Sequence, residues 1–442
     1  MSEVPWSDRR LHFIGIGGAG MSGLALVAHQ LGAQVTGSDR AVSTYLERVE
    51  AAGIEVFHGH QAGNLPGGAE VVVSTAIDEA NPELVEARAS GSQVLHRADL
   101  LADFCRDHKV VAVAGTHGKT TTTAMLVWAL SGLGLDPSFF LGGEVAPRDN
   151  RDIRVNSCWT GSELIVVEAD ESDGSFLKLT PEVAVILNVE MDHHARWSGL
   201  AELRAAFAQF ARSSGRAVLP TDGSAGLELG EEVEVIWFDI DAPGPARIEL
   251  SQPGRHNLLD ARAALAAIQA LGLDPDEAAA GLADFPGVGR RLEFRGSRDG
   301  VLVYDDYAHH PTEVQASLRA LRGLEPERLV AVFQPHLYSR TKAFSQAFGA
   351  ALSEADEVIV LDVYPAREEP IGELEGVSGL DVLRATAERS GGRPAWWAPT
   401  LDAAERAVRR IASPGTTVVT IGAGDVTLLA GRLSENGGSR DG

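Results

Sequence analysis

A lysine follows directly after a glycine in a short loop where it could hold phosphate groups. The loop lies between an apolar run ending at Ala114 and a helix-like segment, and consists of Gly115, Thr116, His117, Gly118, Lys119, Thr120 and Thr121. Backbone N–H groups of such a loop can surround the β- and γ-phosphates of a nucleotide, the lysine adds a positive charge, and the next hydroxyl can reach Mg²⁺. The loop is shorter than the common G-x-x-x-x-G-K-[ST] pattern, since Val113 stands five positions before Gly118. The chain has only four lysines, and we predict that this loop binds a nucleoside triphosphate.

A second glycine-rich turn lies near the N-terminus. Gly15, Gly17 and Gly20 form G-x-G-x-x-G between an apolar run and a helix-like segment, and Asp39 follows later in the chain. Such glycines let the backbone approach a pyrophosphate at a helix N-terminus. Taken alone, the pattern fits NAD(P), FAD or another diphosphate, and a tight turn without a ligand is also open. Because two such turns occur in two parts of the chain, we expect a nucleotide-linked substrate to be brought to ATP.

Polar side chains follow two of the apolar runs. One cluster contains Glu168, Asp170, Glu171 and Asp173, and the other contains Asn188, Glu190, Asp192, His193 and His194. Open α/β sheets bind ligands at the carboxyl ends of their strands, and carboxylate oxygens suit Mg²⁺. A solvated acidic loop is the alternative for the first cluster. We predict that one of its carboxylates serves a metal ion.

The last third of the chain gathers arginine, histidine and acidic residues after further apolar runs. They are Arg290, Arg291, Asp305, Asp306, Tyr307, His309, His310, His336 and Arg340. The arginine fork suits phosphate or carboxylate recognition, although the histidines could also face solvent in a turn. Asn257, near the start of a helix that opens after Gly254, could bind a ligand or cap that helix.

The elements that must position these residues alternate between strand and helix. Continuous apolar runs indicate strands buried on both faces, and their alternation with Ala/Leu-rich segments predicts an α/β fold with parallel sheets. Boundary turns and polar stretches divide the 442 residues into three blocks, 1–107, 108–291 and 292–442.

Composition excludes several classes of protein. The formal net charge of −24 argues against a large nucleic-acid footprint or a polybasic membrane contact. Two cysteines cannot form a disulfide framework or a structural zinc site, and they fit a reducing compartment. Without a membrane-length apolar run or a signal peptide, we expect a cytoplasmic protein with no nucleic-acid partner and no membrane insertion.

Seven segments, in this order, resemble the Mur ligases over nearly the whole chain: HFIGIGGAGMSGLA, AGTHGKTTT, VVEADESDGSF, LNVEMDH, RHNLLDARAAL, DDYAHHPTE and QPHLYSRT. The resemblance implies an N-terminal Rossmann-like domain for a UDP-sugar, a central P-loop ATPase-type parallel sheet, and a C-terminal Rossmann-like domain for an amino acid. It also implies ATP-dependent amide formation through an acyl phosphate, with L-alanine joined to the lactyl carboxylate of UDP-N-acetylmuramate. A murein tripeptide is the alternative acceptor, a nicotinamide-dependent oxidoreductase is a distant alternative, and a monomer or homodimer is expected.

The resemblance further implies roles for single residues. Catalysis would rest on Lys119, Glu168, His193 and Arg291. ATP would be bound by the lysine loop with Asn257, Arg291 and Asp306. Magnesium would be held by Thr120, Glu168 and His193. The UDP-sugar would be bound by Gly15, Gly17, Gly18, Gly20, Ser74 and His193. The amino acid would be bound by Tyr307, His309 and Arg340.

Three features depart from the family pattern. The usual His-Met-Asp after the aspartate reads His193-His194-Ala195, so a role that rests on that later Asp cannot be transferred. Several relatives carry a carbamylated lysine after the metal histidine, but the segment GLAELRAAFAQFARSS has no lysine. Leu337 stands where many members have arginine, so the number of arginines at the amino-acid carboxylate stays open.

Overall fold

The computed structural model describes residues 4–146, 148, 154–192, 196–241, 248–366 and 368–434. The chain divides into two compact units, one made of residues 1–249 and 259–286 and the other of residues 250–258 and 287–442. The first unit contains two β-sheets and the second contains one. No helix in the described ranges is long and apolar enough to cross a membrane.

The first sheet has five parallel strands in the order β3-β2-β1-β4-β5. The strands are β1 (Arg10–Ile14), β2 (Gln34–Asp39), β3 (Glu55–His58), β4 (Glu70–Val73) and β5 (Val94–His96). The helices between and after them are α1 (Ala19–Gln30), α2 (Thr44–Ala51), α3 (Pro82–Ala89) and α4 (Arg97–Cys105). The chain therefore alternates strand and helix, as predicted for a Rossmann-like domain.

The second sheet has seven strands in the order β12-β11-β10-β6-β9-β7-β8. They are β6 (Lys109–Ala114), β7 (Ser138–Val145), β8 (Val155–Cys158), β9 (Leu164–Glu168), β10 (Val183–Ile186), β11 (Arg216–Pro220) and β12 (Glu234–Phe238). The accompanying helices are α5 (Lys119–Gly132), α6 (Leu200–Arg212), α7 (Arg255–Ala270) and α8 (Pro275–Ala280). Strand β6 lies at the centre, so the loop that follows it lies at the middle of the carboxyl edge.

The third sheet has six strands in the order β13-β14-β18-β15-β16-β17. They are β13 (Glu293–Arg298), β14 (Val301–Asp306), β15 (Arg328–Phe333), β16 (Glu357–Val360), β17 (Ala395–Trp397) and β18 (Thr416–Ile421). Its helices are α9 (Pro311–Arg322), α10 (Tyr338–Leu352), α11 (Gly379–Arg389), α12 (Leu401–Ile411) and α13 (Thr427–Ser434). Short 3₁₀ turns occur at Trp6–Asp8, Ala62–Asn64, Ser175–Lys178 and Gly372–Leu374.

The three-domain α/β fold predicted from the sequence is confirmed, with two differences at sheet edges. Strand β8 pairs antiparallel with β7, and β13 pairs antiparallel with β14. The central strands follow the predicted apolar runs because both of their faces are covered by helices. An edge strand pairs with a neighbouring strand on one side only, so it is less enclosed and does not need a continuous apolar run.

One hydrophobic cluster runs through both sheets of the first unit, from Leu11 to Val233. Within it the ring of Phe104 stacks on that of Phe140, with ring centroids 5.5 Å apart. Helix α5 is buried without interruption from Thr120 to Leu130. That burial fixes the helix whose N-terminus forms the end of the lysine loop.

Candidate active site

The lysine loop turns sharply between β6 and α5. Gly118 precedes the helix at φ +84°, and a Cβ added there would lie 2.5 Å from Asp260 Oδ1, so glycine is required for both backbone and space. The residues after β10 hold the loop from the side. The His117 N–H donates to Asn188 Oδ1 at 2.8 Å, and the Glu190 N–H donates to Thr116 Oγ1 at 2.8 Å. The second polar cluster predicted from the sequence therefore positions the loop backbone.

Lys119 is placed by three acceptors at once. Its Nζ donates to Gly115 O at 2.6 Å, Thr116 O at 3.2 Å and Glu171 Oε2 at 2.8 Å. An ammonium group has three N–H donors, so this arrangement uses all of them. The lysine side chain is 14% exposed and that of Glu171 is 2% exposed, which makes their contact a nearly buried ion pair.

Glu168 lies beside the hydroxyl that follows the lysine. Thr120 Oγ1 donates to Glu168 Oε1 at 3.0 Å, and the Gly142 N–H donates to Glu168 Oε2 at 2.7 Å. A hydroxyl and a carboxylate are the hard oxygen donors that Mg²⁺ prefers. Thr120 and Glu168 therefore fit a magnesium ion accompanying a bound nucleotide. The structure singles out Glu168 as the acidic-cluster carboxylate next to Thr120.

The neighbouring ionisable groups have shifted pKa values. Burial raises the pKa of Glu171, although Lys119 opposes that shift. Burial would lower the pKa of Lys119, but the carboxylates of Glu171, Asp170 and Glu168 raise it above its ordinary value. Burial also acts to raise the pKa of Asp170, yet Arg97 and Lys119 lower it to about 2. The lysine and Asp170 consequently carry their charges at neutral pH.

The first glycine-rich turn connects β1 to α1. The Gly15 and Ile16 N–H groups donate to Ser38 O at 2.8 and 3.0 Å, and the Gly17 N–H donates to Asp39 Oδ2 at 2.8 Å. Asp39 therefore contacts the turn itself, whereas in a nicotinamide-binding domain the corresponding acid contacts a ribose hydroxyl. Ser74 follows β4 at the same edge of the sheet, and its Oγ accepts from the Ala76 N–H at 3.4 Å.

Arg97, which the sequence patterns do not single out, joins this turn to the acidic cluster. Its Nη1 lies 3.1 Å from the position of a Cβ on Gly20, and its Nη2 donates to Asp170 Oδ2 at 2.7 Å. Asp170 in turn precedes Glu171, the partner of Lys119. The two predicted phosphate turns thus face one connected set of charged side chains within the first unit. The signal for Arg97 was its place directly after β5, at the edge where the other polar residues gather.

The second unit contains the remaining residues predicted for ATP. Asn257 lies in the first turn of α7, and its Nδ2 donates to Pro253 O at 2.7 Å. Arg291 Nη1 lies 3.7 Å from Glu313 Oε1. Asp306 accepts from the Leu292 N–H at 2.8 Å and the Ala308 N–H at 2.6 Å. Burial raises the pKa of Asp306 to about 6, against the lowering effect of Arg291.

The residues predicted for the amino acid gather at the carboxyl edge of the third sheet. The rings of Tyr307 and His309 are 5.4 Å apart, and those of His309 and His336 are 6.3 Å apart. Arg340 Nη1 lies 3.3 Å from His336 Nδ1. Leu337 has φ +68° just before α10, a strained conformation for a branched side chain.

Other residues of the last third have structural partners. Arg290 donates to Asp305 Oδ2 at 3.3 Å and to Gly422 O at 2.7 Å. His310 caps α9, accepting from the Thr312 N–H at 3.4 Å. The predicted metal ligand His193 and its neighbour His194 lie outside the described residues.

Three family models match successive parts of the chain. The Mur ligase catalytic domain matches residues 10–109, the Mur ligase middle domain matches 113–247, and the Mur ligase glutamate ligase domain matches 290–424. A UDP-N-acetylmuramate–L-alanine ligase of Thermobifida fusca is 43% identical, with 96% of each chain covered. One of Nocardia farcinica is 41% identical, covering 98% of this chain and 95% of the relative.

Solved structures show the same fold. The UDP-N-acetylmuramate–alanine ligase of Thermotoga maritima superposes with a TM-score of 0.80 at 29% identity, covering 96% of this chain and 98% of the other. A murein peptide ligase of Psychrobacter arcticus, at 23% identity, shares the fold with a TM-score of 0.70, covering 96% and 98%. The family models together match well over half of the chain, and the protein belongs to the Mur ligase family.

Proposed function

We propose that this protein joins L-alanine to the lactyl carboxylate of UDP-N-acetylmuramate, using ATP, in the synthesis of the peptidoglycan precursor in the cytoplasm. The observation that carries the proposal is the lysine loop, where Lys119 and the Thr120–Glu168 pair lie together at the carboxyl edge of the second sheet. The relatives at 41% to 43% identity carry the name of that activity, which supports alanine over the tripeptide as acceptor. Membership of the Mur ligase family disfavours the oxidoreductase alternative.

The reaction begins with transfer of the γ-phosphoryl group. A carboxylate oxygen of the sugar's lactyl group bonds to the γ-phosphorus as the bond to the β,γ-bridging oxygen breaks, which gives an acyl phosphate and ADP. Lys119 and the loop N–H groups stabilise the negative charge on the phosphoryl oxygens. Thr120 and Glu168, with His193 from the family resemblance, would hold Mg²⁺, which supplies further charge neutralisation at the phosphates.

Amide formation follows at the acyl carbon. The alanine amine bonds to that carbon, inorganic phosphate leaves, and the amine loses its extra proton to solvent or a nearby base. Tyr307, His309 and Arg340 would bind the alanine carboxylate, with the Arg340 fork providing the charge complement. Asn257, Arg291 and Asp306 would bind ATP.

The first glycine turn would hold the UDP-sugar. Its proposed contacts are Gly15, Gly17, Gly18, Gly20, Ser74 and His193. We also propose domain boundaries at 1–107, 108–291 and 292–442, and a monomer or homodimer as the working form.

Amino-acid-dependent phosphate release tests the proposal. The purified enzyme is supplied with ATP, Mg²⁺ and UDP-N-acetylmuramate, and L-alanine is compared with the murein tripeptide. We expect release with alanine and a product heavier by one alanyl residue in mass spectrometry. Release with the tripeptide alone would favour the recycling activity, and release with neither would refute both ligase functions.

A further inference from the structure

The ammonium group of Lys119 has a carboxyl partner within the protein itself. Glu171 Oε2 lies 2.8 Å from Nζ, and two backbone carbonyls accept its other hydrogen bonds. A lysine that binds phosphate must redirect at least one of these donors. Of the three acceptors, only the carboxylate belongs to a side chain, so Glu171 is the partner that can be exchanged without moving the loop backbone.

Glu171 is itself held in place by its surroundings. Its residue is 1% exposed, and its backbone O accepts from Trp197 Nε1 at 3.1 Å while the Gly174 N–H donates to the same oxygen at 3.1 Å. The nearest acidic neighbour along the chain, Asp170, pairs with Arg97. Because the side chain of Glu171 is buried beside the ammonium group, a phosphate that arrives at Lys119 competes with the Glu171 carboxyl group for the same N–H donor.

We propose that Glu171 is a positioning residue that holds Lys119 in the empty enzyme and is exchanged for a nucleotide phosphate on binding. The inference rests on the proposed function, since it requires the lysine loop to bind a nucleotide. The carboxylate neutralises a nearly buried ammonium in the empty state, where an unpaired charge would be costly. In the bound state the phosphate supplies that neutralisation, and the Glu171 carboxyl group gives up its hydrogen bond from the ammonium group.

The exchange predicts effects of opposite sign on stability and on binding. Replacing Glu171 by glutamine should destabilise the empty protein, because Lys119 loses its counter-charge. The same substitution should tighten nucleotide binding, because the competing carboxylate is gone. A residue that merely supported the loop would change both in the same unfavourable direction.

The test measures ADP binding in the presence of Mg²⁺ by titration calorimetry, together with melting temperature. For E171Q we expect a lower melting temperature without ligand and a Kd for ADP lowered at least about fivefold, equivalent to about 1 kcal/mol. An unchanged or raised Kd in the folded variant would overturn the exchange. If the wild-type enzyme does not bind ADP, both the proposed nucleotide site and the exchange are refuted. If the wild type binds ADP but E171Q does not bind it more tightly, only the exchange is refuted.

Three further variants sharpen the result. D173N removes a carboxylate from the same cluster, one that pairs with His96 and Arg97 and makes no ion pair with Lys119 among the described contacts. Equal tightening by D173N would mean a general charge effect and would overturn the exchange.

In a K119M background, E171Q should lose its tightening effect on ADP binding, and tightening that persists there would also overturn the exchange. If E171Q does not fold, E171D replaces it in the test. The shorter side chain should weaken the ion pair with Lys119 and lower the Kd for ADP. A Kd equal to or above that of the wild type would contradict the proposal.

Discussion

At the scale of single residues, Lys119 is where loop geometry and proposed chemistry meet. Its side chain reaches two loop carbonyls and one carboxylate, so its position is set by contacts within the protein. A preorganised charge beside a transferring phosphoryl group contributes more than a mobile one, because it needs no reorganisation during the reaction.

Replacing Lys119 by alanine should lower turnover by at least about 100-fold, since one such transition-state contact is worth about 3 kcal/mol or more. Phosphate release at saturating substrates measures the effect. Lys178→Ala is the matched control, because Lys178 pairs with Asp99 and both side chains are more than 40% exposed. Turnover of the Lys119 variant near that of the control would refute the assigned role.

A second residue-scale prediction concerns Glu83, whose carboxylate is fully buried in the first sheet's domain. Burial acts to raise its pKa, but hydrogen bonds from His12, Ser38, Asn64 and the Gln61 N–H lower it to about 2. A lowered folded-state pKa stabilises the protein above the unfolded value of about 4.5, and this stabilisation is lost as pH falls towards about 2.

Glu83→Gln should therefore reduce hydrogen-exchange protection of β1 and β2 amides at pH 7 by about 3 kcal/mol. The difference from wild type should shrink between pH 4.5 and pH 2. Glu86→Gln, an exposed position on the same helix, is the control and should leave protection within about 0.5 kcal/mol of wild type. A difference that does not depend on pH would contradict the mechanism.

Residue types and spacing allowed the lysine loop, the acidic cluster that contains Glu168, and the turn with His309 and His310 to be singled out from the sequence. They did not predict the contacts of Arg97 or Glu171. Arginine accounts for nearly all basic residues of this chain, so the residue type of Arg97 carried no signal apart from its place after β5. The pairing of Glu171 with Lys119 joins positions 52 apart in sequence, and only the folded sheet brings them together.

At the scale of elements, the lysine loop depends on Gly118, where both the backbone conformation and the available space require glycine. Gly118 has a left-handed backbone and would place a Cβ 2.5 Å from Asp260 Oδ1. Gly118→Ala should raise the Kd for ADP at least about tenfold, because the loop must shift away from Asp260, a cost above 1.4 kcal/mol. Titration calorimetry measures the change.

Gly134→Ala provides a matched comparison. Gly134 also has positive φ, at +78°, but an added Cβ there would meet no atom within 4 Å. It should cost about 1 kcal/mol of stability and leave the ADP affinity unchanged. Equal loss of affinity in the two variants would mean that a general loss of stability, and not the local clash with Asp260, lowers the affinity.

The elements differ in how far the sequence could predict them. Strands β6 and β10 contain continuous apolar runs because helices cover both faces of the sheet, and such runs predict buried strands. Strand β17 is short and exposes Trp396 and Trp397, so its pattern resembles a surface segment. Strand β8 is polar because Asn156 Nδ2 donates to Ala19 O, the first residue of α1. Tertiary contacts of this kind leave no periodic signal in the sequence.

At the scale of the whole molecule, the number of sheets and the number of compact units differ. Three sheets and three family matches would suggest three folding units, but the first two sheets share one hydrophobic cluster. Polar contacts join them as well, since Gln30 Nε2 donates to Trp159 O at 2.9 Å. The third sheet has hydrophobic clusters of its own.

We therefore predict that the first two sheets unfold together and the third unfolds separately. Hydrogen exchange in increasing urea should show β1 and β6 losing protection in one step, with β15 and β18 following another. Phe104→Ala tests the shared cluster, because Phe104 is 2% exposed and stacks against both Trp6 and Phe140. Phe348→Ala, 1% exposed against Phe333, is its counterpart in the second unit.

Each substitution should cost about 3–5 kcal/mol in the unit that contains it. Phe104→Ala should lower the protection of β1 and β6 by similar amounts and leave β15 unchanged, while Phe348→Ala should do the reverse. The reason is that a cavity in a shared cluster removes contacts from both sheets that line it. Loss of protection in β1 with β6 unaffected would show that the two sheets fold independently, and the shared cluster would then be a contact between separate cores.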